Sequence, residues 1–197
     1  MTAVKAMRLP SGKNSPGLSE KRCLRTSRCF DEFYGKEFQA AKGLCGVNPS
    51  AAIAVHTVKE MGLRVALATN PIFPAVATQS RIRWAGLESE DFELYTTYEN
   101  IGYCKPNPDY YREIAKRLGV SPEGCLMVGN DVTEDMVASE TGMQVFLLTD
   151  CLINKERKDI SVYPRGSLLT LLKMSARRLN SNAIRQDFMM FPQHPPM

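Results

Sequence analysis

The stretch Cys125-Leu126-Met127-Val128-Gly129-Asn130-Asp131-Val132-Thr133-Glu134-Asp135 decides how this chain is read. Its first four residues form a continuous apolar run. Such runs mark strands buried on both faces, as in parallel sheets covered by helices on each side. Gly129 and Asn130 end the run. Asp131 and Asp135 follow, four residues apart, a spacing that puts two carboxylates on one side of a helix. Val132 to Thr141 continues at helical spacing, and Gly142 closes it. A buried strand therefore leads into an acidic turn and a helix.

The same step recurs upstream. Asn48-Pro49 offers an N-cap and a first-turn proline for a helix that runs to Met61 and stops at Gly62. Arg64 to Asn70 reads as a buried strand ending in Thr69-Asn70. Pro74 opens a helix to about Trp84, stopped near Gly86, and Phe92 to Thr97 is a further strand. Asn107-Pro108 starts a helix that ends at Leu118 and Gly119. Downstream of the acidic turn, Gln144 to Thr149 is a last strand. Strict alternation predicts a Rossmann-like α/β domain with a mostly parallel sheet, because parallel strands need crossover helices. In such sheets ligands bind beyond the carboxyl ends of the strands.

Charge divides the 197 residues into three parts. Residues 1–30 carry +6, residues 31–150 carry −7 and residues 151–197 carry +5, which sum to the net +4. The basic pI thus belongs to the ends and not to the domain. The predicted organisation is a basic segment over 1–30, an α/β domain over 31–165 and a basic tail over 166–197. The first segment is Arg- and Ser-rich and poor in acid, which fits disorder or an organellar targeting segment. Its Gly12-Lys13 pair lacks the glycine spacing of a P-loop. Ser167 to Leu179 fits a short basic amphipathic helix. The last twelve residues read as a frayed tail or a partner- or membrane-surface helix.

Six cysteines show no C-x-x-C pair, and His56 and His194 are the two histidines, so a zinc site of ordinary spacing is not expected. Reduced thiols and a cytoplasmic protein are expected, with Cys125 a buried thiol. No apolar run is long enough to span a membrane. No aromatic-interleaved basic patch points to nucleic acid.

Three strand ends carry chemistry. Thr69 and Asn70 offer a hydroxyl and adjacent backbone N–H groups suited to a phosphate or carboxylate oxygen. Lys105, in Cys104-Lys105-Pro106-Asn107-Pro108, is held in a proline-stiffened loop, where a fixed ammonium can neutralise a phosphoryl group. Taken alone it reads as a solvated surface lysine. Asp131 and Asp135 are hard oxygen donors suited to Mg²⁺, which takes one or two carboxylates plus substrate phosphate. Taken alone, Asp131 reads as an N-cap.

In this order on one sheet, the three signals resemble the haloacid dehalogenase-like hydrolase superfamily, from about Phe30 to Asp159. Val65-Ala66-Leu67-Ala68-Thr69-Asn70 is similar to its second motif, Lys105-Pro106 to its third, and Val128 to Asp135 to its acidic fourth. The resemblance implies Mg²⁺-dependent phosphoryl transfer on a phosphorylated small molecule or phosphoprotein. It implies that Thr69 and Asn70 hold the phosphate and that Lys105 offsets charge. It further implies that Asp131 binds Mg²⁺, and that Asp135 supports the metal or Lys105. The family's first motif, D-x-D at the end of an apolar strand, is absent from the sequence. Asp31 is the nearest candidate, within Phe30 to Gln39, which reads as a cap remnant over 31–47. An attacking carboxylate therefore has no holder, which predicts impaired turnover or a non-catalytic phosphate- or partner-binding module. The missing strand lies mid-sheet in that family, so an unpaired edge open to self- or partner association is expected.

Overall fold

The computed structural model describes residues 29–30, 32–180 and 187–190, with side chains placed as far as residue 174. The expectations for residues 1–28, for Asp31 and for residues 191–197 lie outside the described residues.

The sheet and the α-helices that follow residue 48 build the described fold. The elements are α1 (Pro49–Glu60), β1 (Val65–Leu67), α2 (Ala75–Trp84), β2 (Leu94–Tyr95), α3 (Pro108–Leu118), β3 (Cys125–Gly129), β4 (Gln144–Leu148), β5 (Arg165–Gly166), α4 (Leu168–Asn180) and β6 (Asp187–Met190). The strands form one sheet in the order β2-β1-β6-β3-β4-β5, and every neighbouring pair is parallel. The predicted α/β fold with flanking helices is what the chain adopts.

Caps set the helix boundaries. The Asn48 side chain accepts from the Ser50 N–H, and Asn107 accepts from the Asp109 N–H at 2.9 Å, so each satisfies one orphan donor at a helix start. Pro49 and Pro108 follow, where a missing N–H costs nothing. Gly119 ends α3 at φ 68°, a left-handed conformation that a side chain would oppose.

The sheet sorts its residues by period two into two cores. Val65, Leu67, Leu126, Val128, Phe146 and Leu148 point to one face, where they meet Val55 and Val58 of α1, Ile82 of α2 and Leu168 and Leu171 of α4. Ala66, Ala68, Cys125 and Met127 point to the other face, against Tyr110, Tyr111, Ile114 and Ala115 of α3. Burial on both faces is why these strands read as unbroken apolar runs. Cys125 is buried and outside any disulfide, as expected.

Two sequence expectations need correction. Val132 to Thr141 is not an α-helix: residues 132–135 form a turn, and a 3-10 helix follows over Met136–Thr141. The Asp131 carboxylate accepts from the N–H groups of Thr133 and Glu134, both at 2.9 Å, which draws this segment into a tight turn instead of an even helix. The second correction concerns the end of the chain, expected as a frayed tail or a helix. Asp187–Met190 is a strand, and it lies in the middle of the sheet. Phe188, Met189 and Met190 pair with Val65, Ala66 and Leu67 on one side. Asp187 to Met190 pair with Cys125 to Val128 on the other. The inner slot expected to be open is thus filled by the chain's own C-terminal strand. Each flanking strand satisfies backbone groups that would otherwise be orphaned within a two-sided core.

Candidate functional site

The carboxyl ends of β1 and β3 flank the slot that holds β6, and the loops that leave them carry the predicted residues. Thr69 follows β1 and is 5% exposed. Its hydroxyl donates to the Asn70 carbonyl at 3.2 Å. Asn70 Nδ2 donates to Glu134 Oε1 at 3.4 Å, across to the acidic turn. Asn70 Oδ1 is buried and has no hydrogen-bond partner among the described residues.

Lys105 is not the surface lysine that its loop suggests. Its side chain is 4% exposed, and Nζ donates to Asp135 Oδ1 at 2.7 Å, with Asp135 equally buried. Burial pushes the Lys105 ammonium below its ordinary value, while the carboxylates of Asp135, Glu134 and Asp131 pull it back up. The second Asp135 oxygen accepts from the Asp131 N–H at 2.9 Å. Asp135 therefore fastens both the lysine and the start of the acidic turn. Its carboxylate lies against Gly129, where any Cβ would sit 2.6 Å from the Asp135 Cβ. Glycine is required at this strand end because the carboxylate packs directly on the backbone.

Asp131 accepts from the Thr133 and Glu134 N–H groups through Oδ1 only. It thus caps its own turn, as its type alone suggests, and keeps Oδ2 for other use. The turn is braced from behind: Asn130 Nδ2 donates to the Cys151 carbonyl, and Asp131 forms a parallel bridge with Ile153. Glu134, half-buried beside Asp131 and Asp135, has its carboxyl raised above the usual range, chiefly by burial.

The structure thus brings Asn70, Glu134, Asp131, Asp135 and Lys105 into one contiguous constellation beside Thr69. Sequence reasoning did not assign Glu134, although it stands in the quoted acidic stretch. It also missed Tyr110 and Tyr111. Tyr110 Oη donates to the Thr69 carbonyl at 2.5 Å, and Tyr111 Oη donates to the Glu134 carbonyl at 2.5 Å. Their adjacency early in α3, one turn beyond Lys105, was the available signal.

Among the described residues, no three Asp, Glu, His or Cys side chains gather as a protein-only metal cage. A Mg²⁺ site that keeps its waters does not require one. Asn70 Oδ1, which has no hydrogen-bond partner among the described residues, the second oxygen of Asp131 and the Glu134 carboxyl are hard oxygen donors on the two loops that Asn70 and Glu134 join. Their chemistry fits that ion.

The sequence model of the haloacid dehalogenase-like hydrolases matches residues 18–140, more than half of the chain. This chain belongs to the haloacid dehalogenase-like hydrolase family. Among curated relatives, YhcW of Bacillus subtilis is 29% identical over 117 residues, covering 59% of this chain and 50% of that protein. The glyceraldehyde 3-phosphate phosphatase of Methanothermobacter thermautotrophicus is 27% identical over 113 residues, 57% of this chain and 49% of its own. The phosphoglycolate phosphatase of Salmonella typhi is 28% identical over 137 residues, 68% of this chain and 50% of its own. The chain spans about half the length of these relatives. Among solved structures, a HAD phosphatase from Thermococcus onnurineus superposes with a TM-score of 0.53 at 20% identity, covering 70% of this chain and 59% of its own. CbbY from Rhodobacter sphaeroides, in complex with phosphate, gives 0.52 at 20% identity, with 80% and 66% covered. These likenesses establish the fold, and the relatives from Methanothermobacter and Salmonella are phosphatases. Among the described residues no helix is long and apolar enough to cross a membrane.

Proposed function

We propose that this chain recognises phosphorylated small molecules at the carboxyl ends of β1 and β3 and, acting alone, does not hydrolyse them. One observation carries the reading. The middle strand of the sheet is β6, and Asp187, its one acidic residue, is in register with Cys125 at the amino end of β3. The site lies at the opposite end, where β6 reaches Met190 between Leu67 and Val128. Covalent phosphoryl transfer needs an attacking carboxylate beside the phosphorus atom, and the one acidic residue of this strand stands in register with the other end.

The remaining parts suit binding. The Thr69 hydroxyl and the backbone N–H groups after it receive phosphoryl oxygens. The Lys105 ammonium, held by Asp135, offsets their charge in a buried setting where such offsets count most. Asp131, Glu134 and Asn70 Oδ1 would hold Mg²⁺, which when bound supplies a divalent charge to the phosphate. Sugar phosphates and other small phosphomonoesters, the substrates named for the relatives, are the expected ligand class. A cytoplasmic location is part of the same reading.

Hydrolysis of p-nitrophenyl phosphate with and without Mg²⁺ tests this proposal. The expected rate equals that of an Asp131→Ala, Lys105→Met double variant. Mg²⁺-dependent turnover lost in that variant would mean that an attacking group is present, and would overturn the reading.

A further inference from the structure

The loops at the two sides of the slot are joined by something besides β6. Tyr110 and Tyr111 are fully buried neighbours on α3, with rings 5.0 Å apart at nearly right angles. Adjacent helix residues point about 100° apart, so one helix turn can send two side chains to two different loops. Here Tyr110 Oη reaches the Thr69 carbonyl at 2.5 Å and sits 3.0 Å from the Thr96 hydroxyl. Thr96 in turn donates to the same Thr69 carbonyl at 2.7 Å. Tyr111 Oη reaches the Glu134 carbonyl at 2.5 Å, immediately before Asp135. The Lys105 ammonium lies over the Tyr110 ring, 5.9 Å from its centroid.

We infer that Tyr110 and Tyr111 form a strut that sets the spacing between the Thr69 loop and the Asp131–Asp135 turn. The inference rests on the phosphate-binding reading only for its functional consequence. Both phenols are fixed as donors, since burial raises their ionisation well above neutral pH. Each hydroxyl is engaged with a backbone carbonyl, so both are positioning residues. A rigid scaffold of this kind lowers the ordering cost of binding, because the loops are already placed when the ligand arrives.

Tyr110→Phe and Tyr111→Phe remove one hydroxyl each and keep the packed ring. Tyr95→Phe, which loses a 2.8 Å hydrogen bond from Gln79 away from the site, is the control. Amide hydrogen exchange of the full chain reads loop order without any ligand. The expected result is about tenfold faster exchange over residues 69–74 in Tyr110→Phe and over 131–136 in Tyr111→Phe, with α1 unchanged. Inorganic phosphate with Mg²⁺ should bind about tenfold more weakly to either variant, and normally to Tyr95→Phe. Unchanged loop exchange, or faster exchange spread evenly over the whole domain, would overturn the strut. If the wild-type chain binds no phosphate, the proposed function falls, while the exchange data still decide the strut.

Discussion

Lys105 Nζ and Asp135 Oδ1 meet at 2.7 Å with both side chains 4% exposed, at the carboxyl end of the sheet. An ion pair this deep is weak evidence of stabilisation, because desolvation of both charges offsets their attraction. It is strong evidence that neither partner can be lost alone. Its place beside the Thr69 loop and the acidic turn makes it the fixed charge around which the site is arranged.

Truncating one partner should therefore cost far more than replacing both. Lys105→Met leaves a buried carboxylate unpaired and should lower unfolding free energy by about 3–5 kcal/mol. Adding Asp135→Leu to it should recover part of that loss. Urea denaturation of the single and double variants measures the coupling. Equal losses in all of them would mean the pair is not buried as described.

Glu134 sets a pH dependence. Its folded carboxyl titrates above its unfolded value, chiefly through burial, with the Lys105 charge opposing the rise and the charges of Asp131 and Asp135 adding to it. The protonated form is thus favoured by folding. That contribution is complete below the unfolded carboxylate range and is lost as pH rises through the raised folded value. Glu134→Gln should gain on the wild type in urea midpoint between pH 4 and pH 8, in the absence of divalent cation. Mg²⁺ should raise the melting temperature of the wild type more than that of Glu134→Gln.

The middle strand is equally testable. Met189 pairs with Ala66 on β1 and with Met127 on β3. Proline there removes a ladder donor and is not tolerated within a central strand. Met189→Pro should lower the urea midpoint markedly and weaken phosphate binding, since both site loops leave strands that β6 joins. An unchanged midpoint would place β6 outside the sheet.

Local signals made much of this fold legible. Asn48-Pro49 and Asn107-Pro108 start their helices where the caps predict, and the runs 64–70 and 125–128 carry strands at Val65–Leu67 and Cys125–Gly129. The rest depends on distant partners. Asp187-Phe188-Met189-Met190 is four residues long and opens with a poor strand former. It is a strand because β1 and β3, each more than fifty residues away, leave ladders to fill. Lys105 looks solvated in its polar loop, and its burial depends on Asp135, thirty residues on. Two carboxylates at a spacing of four predict a helix over the acidic turn. The local competition of the Asp131 side chain for backbone N–H groups made it a turn instead.

Phosphorus NMR of the full chain with phenyl phosphate and Mg²⁺ reads binding and turnover at once. The predicted result is a shifted or broadened ester resonance that inorganic phosphate competes away, with no inorganic phosphate released beyond the buffer control. Release of many equivalents of inorganic phosphate, or an ester resonance that the protein leaves untouched, would contradict binding without turnover.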